Sequence, residues 1–168
     1  YETGAPSYLR THPLTFERVA DVQNRIQGIA YRQVPDSLEF HLVRARLQAR
    51  EGTPQDAVRH FDQIIAARKF SNESAMRYGL TVALLRAADA RRATVEMAGL
   101  QKLGAKSPMI DALAAQTLIG SGETEKGLEA YRAALRSNPG RLALVYGYAD
   151  ALIGAKRAGE AAEFLATK

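Results

Sequence analysis

The chain has 168 residues, 46% of them hydrophobic, with no cysteine and a formal net charge of +5. That length suits one compact domain or one short solenoid, the apolar content excludes a disordered chain, and the lack of cysteine excludes disulfides and thiol catalysis. No run approaches the roughly 18 apolar residues of a membrane span, and the basic excess is spread evenly with no run longer than three, so no nucleic-acid partner is expected.

Tyr1-Glu2-Thr3-Gly4 is not a basic start followed by an apolar core, so no signal peptide is read there. A start without Met is expected of a processed chain or of a piece of a longer one. Thr11-His12-Pro13 then leads into Leu14, Phe16, Val19, Ala20, Val22 and Ile26, which recur at helical spacing. This predicts a helix over about 13–27, with Pro13 tolerated in its first turn and Gly28 ending it. Ser37, Asn72 and Ser107 stand where N-caps of later helices belong, and Pro108 suits a first helical turn. Gly104 follows Gln101-Lys102-Leu103 as a C-terminal cap does, and Thr124-Glu125 open a helix after Gly122. Alanine and leucine dominate, and no strand alternation stands out. The expectation is an all-α chain of eight helices in four pairs, with a ninth helix ahead of them.

Four segments align on one small residue that follows a short turn. The anchors are Ala57, Ala93, Gly127 and Ala161, spaced by 36, 34 and 34 residues. Twelve residues upstream lie Ala45, Thr81, Ala115 and Ala149, all small; four residues downstream lie Phe61, Met97, Tyr131 and Leu165, all large. Antiparallel helices pack closely only where small residues sit at the crossing. The large residue one turn later fills the gap toward the next pair. This pattern resembles the tetratricopeptide repeat, a helix–turn–helix unit of about 34 residues, over residues 37–168, in copies of about 37–70, 71–106, 107–140 and 141–168.

The resemblance implies a right-handed superhelical solenoid whose concave face is lined by the first helices and holds a peptide or a protein surface. Carrying over the family's groove positions, counted from Leu38, Ser74, Pro108 and Leu142, gives a candidate binding set of Leu42, Arg46, Tyr78, Val82, Gln116, Tyr146 and Asp150, joined by the adjacent Arg50 and Arg86. Tyr and Arg are common interaction hot spots; the other reading is that each tyrosine fills space between repeats. The Lys/Asn clamp that some members use on a C-terminal carboxylate is not matched, because Leu42 and Arg46 occupy its first-copy positions. A chaperone-tail receptor is therefore not predicted.

Catalytic chemistry finds little footing. His12, His41 and His60 do not form His-Glu-x-x-His, and zinc needs three or four converging ligands. His41 and His60 are read as structural. Gly120 to Gly127 resembles a phosphate loop only loosely, since Lys126 precedes the glycine and Glu123 and Glu125 would repel phosphate. No nucleophile triad or carboxylate pair is readable, so no catalytic residue and no cofactor is assigned to this segment.

Residues 6–25 carry a second resemblance. Leu9, Thr11-His12-Pro13 and Arg18-Val19 are similar to the run that closes the catalytic part of bacterial zinc metallopeptidases with C-terminal tetratricopeptide repeats, the β-barrel assembly-enhancing protease family. Val19 stands where that family has Ile or Leu. The resemblance implies that residues 1–36 end a protease domain and link it to the repeats, with the zinc-binding helix upstream of Tyr1. It implies a periplasmic location, a role in outer-membrane protein assembly and quality control, and β-barrel clients or the assembly machinery as partners. It also makes His12 a candidate zinc ligand in the intact protein, where a fourth protein ligand would block the open position; the alternative is that His12 packs at the junction. The other functional reading is a free-standing adaptor in secretion or envelope assembly. Self-association is a further expectation, if the Ala-rich last helix exposes an apolar flank.

Overall fold

The computed structural model describes residues 15–27 and 34–167. The chain divides into two units, Tyr1–Pro35 and Asp36–Lys168. In the first, α1 spans Thr15–Ile26. It places Phe16, Val19, Val22 and Ile26 on one side, and an Arg25–Asp21 ion pair of 2.9 Å one turn apart. Pro13, Gly28 and His12 lie outside the described residues.

The second unit is a solenoid of helix pairs: α2 (Leu38–Gln48) with α3 (Pro54–Ala66), α4 (Glu73–Arg86) with α5 (Ala90–Lys102), α6 (Pro108–Gly120) with α7 (Thr124–Ser137), and α8 (Leu142–Gly154) with α9 (Ala158–Ala166). No strand occurs among the described residues. Five of these starts, those of α2 to α6, carry a side-chain cap. The side chains of Ser37, Thr53, Asn72, Asp89 and Ser107 accept from the amides of Phe40, Asp56, Ala75, Arg92 and Met109 at 2.9–3.3 Å, satisfying donors that a helix N-terminus leaves open.

Within each pair the helices cross at the small residues. Ala45, Thr81, Ala115 and Ala149 of the first helices are buried, as are Ala57, Ala93, Gly127 and Ala161 of the second. In the third pair the approach leaves no room for a side chain: a Cβ on Gly127 would stand 2.5 Å from Ile119 Cγ1 and 2.8 Å from the Ala115 carbonyl oxygen. Thr81 is the polar member of this set; its hydroxyl donates to the Arg77 carbonyl at 2.8 Å, so its burial leaves no polar group unmet.

Successive pairs lock through the large residue one turn on. Phe61 lies against Gly79, whose Cβ would come within 2.3 Å of Phe61 Cζ. Tyr131 stands in the same relation to Gly147, with a Cβ 3.0 Å from the phenol oxygen. Between them the same two registers hold Met97 and Leu113, both buried in one cluster. Where the second helix offers a ring, the next first helix offers a glycine; where it offers the slimmer Met, the partner is Leu. Leu165 holds that register in the last copy and is 39% exposed, since no described helix follows to cover it.

The first helices α2, α4, α6 and α8 pack on one another in order and form the inner layer. The outer layer is tied by Arg92 to Asp62 across α5 and α3 at 2.8 Å, and by Arg157 to Glu125 across α9 and α7 at 3.1 Å. Such exposed pairs contribute at most about 1 kcal/mol each, so burial, not charge, holds the stack. The turns inside the pairs share one register too. Gly52, Ala88, Gly122 and Lys156 each sit five residues before an anchor, with φ of 60°, 58°, 90° and 62°. Ala88 and Lys156 therefore occupy the left-handed region that disfavours a side chain.

Two stability measurements follow from this packing. Gly79→Ala is expected to cost about 2 kcal/mol by overpacking against Phe61, and a smaller residue at position 61 should recover part of the loss. A double-mutant cycle with Phe61→Leu in urea checks it; additive losses would refute the lock. Ala88→Gly is expected to raise stability by about 0.5 kcal/mol, as relief of the left-handed strain exceeds the entropy of the added glycine.

Candidate interaction groove

The inner layer turns one face of each first helix toward a common groove. On α2 the spacing Glu39, Val43, Arg46 keeps three side chains on one side of the helix, and Arg50 follows in the turn after it, while Leu42, Ala45 and the C-cap residue Ala49 turn into the core. The groove has two compartments. The wider, about 770 Å³, lies between the N-terminal halves of α2, α6 and α8, with Val43, Pro108, Ala112, Leu142 and Tyr146 among its walls and Glu39, Asp150 and Arg141 at its edges. The narrower, about 270 Å³, lies between the C-terminal halves of α2, α4 and α6, and is lined by Arg46, Arg50, Val82, Leu85, Arg86 and Gln116. Arg46 and Gln116 line both and so mark where they meet.

Seven of the nine residues expected in a groove line these compartments: Arg46, Arg50, Val82, Arg86, Gln116, Tyr146 and Asp150. Leu42 and Tyr78 do not, being 0% and 1% exposed and part of the core. The reason is positional. Leu42, Tyr78, Ala112 and Tyr146 hold the same place in successive copies, fifteen residues before the anchor. The following first helix packs over that place in the earlier copies. In the last copy no described helix follows, and Tyr146 is 59% exposed. Arg86 has a structural task as well: its guanidinium donates to the carbonyl oxygens of Ala49 and Gly52, capping the C-terminus of α2 and holding its turn.

Two phenols lie buried in the core beneath the groove residues Arg46 and Gln116. Burial pushes the Tyr78 hydroxyl above the ordinary phenol range, and Arg46 facing it pulls the other way. Burial likewise raises Tyr131, which Gln116 and Arg46 lower and the Asp150 carboxylate raises. Arg46, Gln116, Asp150 and the two phenols thus form one polar patch beneath the junction of the compartments. Tyr131 lies on a second helix and was not among the expected residues. It packs closely against Gly147, which opposes it without a side chain; the glycine in α8 was the available signal. Glu39, Val43 and Leu142 were also missed, because the groove extends to the first turns of the inner helices.

His41 and His60 do not converge with other ligands: each meets its neighbouring phenylalanine edge-on, with ring centroids 5.6 Å and 5.4 Å apart. Among the described residues no group of three or more His, Cys, Asp or Glu could hold a metal ion, and no helix is long and apolar enough to cross a membrane.

The tetratricopeptide repeat family model matches residues 15–165 of the chain. Comparison with curated proteins and with solved structures gives no match.

The buried phenols make stability sensitive to alkali. Their folded-state values are raised, so their contribution is whole below about pH 10, the free phenol value, and is lost as pH climbs beyond it. Urea midpoints of the wild type should fall steeply above that pH. Tyr78→Phe and Tyr131→Phe should each flatten the fall; an unchanged slope in both would contradict the assignment.

Proposed function

The chain belongs to the tetratricopeptide repeat family, and we propose that this protein-interaction module works by holding an extended segment of a partner in its two-part groove. One observation carries the reading. Val43, Leu142 and Tyr146, between 46% and 65% exposed, put large apolar surface inside a concavity, next to guanidiniums. Among the described residues neither Arg46 nor Arg50 belongs to an ion pair. An apolar patch rimmed by charge is the usual form of a recognition surface, and Tyr and Arg are the side chains that most often anchor one. The repeats themselves supply no catalytic constellation, so the segment acts by binding.

The finer reading is that the module recruits clients for a periplasmic zinc metallopeptidase engaged in outer-membrane protein assembly and quality control. Its support is the resemblance of Leu9, Thr11-His12-Pro13 and Arg18 to the closing run of that family's catalytic part, followed in order by repeats of the expected kind. On this reading the zinc belongs to a catalytic domain ahead of Tyr1, and no hydrolytic step involves the described residues. The partners are outer-membrane β-barrel proteins or the machinery that assembles them.

Site-specific photocrosslinking in cells separates these statements. A photoreactive residue at Tyr146 should give discrete adducts, and one at Val95, equally exposed on α5, should give none. Equal adducts from both positions would refute the groove. Discrete adducts from position 146 alone that contain no envelope-assembly protein would leave the groove standing and refute the protease reading in favour of a free-standing adaptor.

A further inference from the structure

The two compartments differ in chemistry as well as in size. The narrow one is cationic. Arg46, in the last turn of α2, and Arg50, in the turn just after that helix, line the same compartment, and Arg86 stands with them from α4. The wide one is lined mainly by apolar residues, and its carboxylates, Glu39 and Asp150, are balanced by Arg46 and Arg141. A carboxylate entering the groove is drawn to the narrow end, where cations stand without an acidic residue in the lining, and a large apolar side chain finds its surface in the wide one, which is how charge pattern fixes the register of a ligand. The Gln116 amide, which lines both compartments, offers a further donor at their junction.

Resting on the interaction-module reading above, we infer that the groove selects an internal, extended peptide segment in which a large apolar side chain stands within a few residues of acidic side chains. The apolar group occupies the wide compartment against Val43, Leu142 and Tyr146, and the acidic group meets Arg46 and Arg50. The paired guanidiniums favour side chains over a lone chain terminus. Arg50 is exposed and Arg46 half-buried, at the end of α2 and in the turn after it, where successive acidic residues of an extended segment can each find a partner. A guanidinium matches a carboxylate with two parallel donors, more specifically than an ammonium does.

A phage-displayed random-peptide library, in which no peptide has a free C-terminus, tests this against the full chain. Enriched sequences should combine Asp or Glu with an aromatic or large aliphatic residue close by. Synthetic peptides made from them should bind about tenfold more weakly to Arg46→Gln and to Arg50→Gln, and should weaken as salt rises. Arg50→Gln, at an exposed position, guards against a folding defect at Arg46, and circular dichroism checks both. Enriched peptides that lack acidic residues, yet still lose affinity with Tyr146→Ala, would overturn the acidic selectivity and spare the groove. Acidic peptides recovered only from a library with free C-termini would overturn the internal-segment statement in favour of a terminal carboxylate. Peptides insensitive to Arg46, Arg50 and Tyr146 substitutions would overturn the groove reading itself, as would a library yielding no enrichment in either format.

Discussion

The whole unit depends on how closely the two helices of a pair approach. At the third crossing there is no room for even one methyl group on Gly127, because the Ala115 carbonyl oxygen and Ile119 already occupy the space. A close crossing brings backbone near backbone, so each pair behaves as one flat element with two apolar faces. Neither face can be covered by the pair alone. Stacking follows from that lack, and the number of pairs follows from how often the small residues recur.

Stacking then needs complementary surfaces, and the chain meets this in alternating ways. Phe61 and Tyr131 each enter the space left by a glycine, at Gly79 and Gly147, whereas Met97 shares its cluster with Leu113. The buried residues accordingly fall into two clusters, one running from Leu42 to Leu113 and the other from Ala112 to Ala161. Helix α6 contributes to both, with Ile110 and Leu113 on one side and Ala112 and Ala115 on the other. Ala114 also packs on the earlier cluster and Ile119 on the later one, so α6 joins the two halves of the stack.

The fold was legible because its cause is periodic. Small residues at a fixed register in four copies can be seen without coordinates, and so can the caps at Ser37, Asn72 and Ser107. What was not legible depends on pairs of positions rather than single ones. Gly79 becomes meaningful only once Phe61 is known to lie opposite. The left-handed turn residues Ala88 and Lys156 carry no glycine to announce them; the register of Gly52 and Gly122 assigns them only after the repeats are aligned. The groove was less legible than the fold. Counting family positions treats every copy as equivalent, but burial at a given position depends on whether another pair follows. Leu42 and Tyr78 lie under the next first helix, while Tyr146, at the same position, does not. Glu39 escaped notice although Asp150 was expected, because the two are far apart in sequence and line one groove only when α2 and α8 curve around it.

That curvature separates stability from recognition on every inner helix. On α2 and the turn after it, Leu42, Ala45 and Ala49 are fully buried, and Val43, Arg46 and Arg50 face the groove. A substitution on the groove side removes no core contact, so its cost to folding is small, whereas its effect on a ligand is direct. Two groove residues depart from this separation. Arg86 also caps α2, and Arg46 also faces the Tyr78 hydroxyl in the core. These two side chains fix the positions of α2 and α4 at the narrow compartment, where the cations stand. A ligand that engages Arg46 therefore presses on the phenol that belongs to the first cluster, and one that engages Gln116 presses on Tyr131 in the second. The polar patch under the groove is the place where binding and the packing of both halves of the stack share the same atoms.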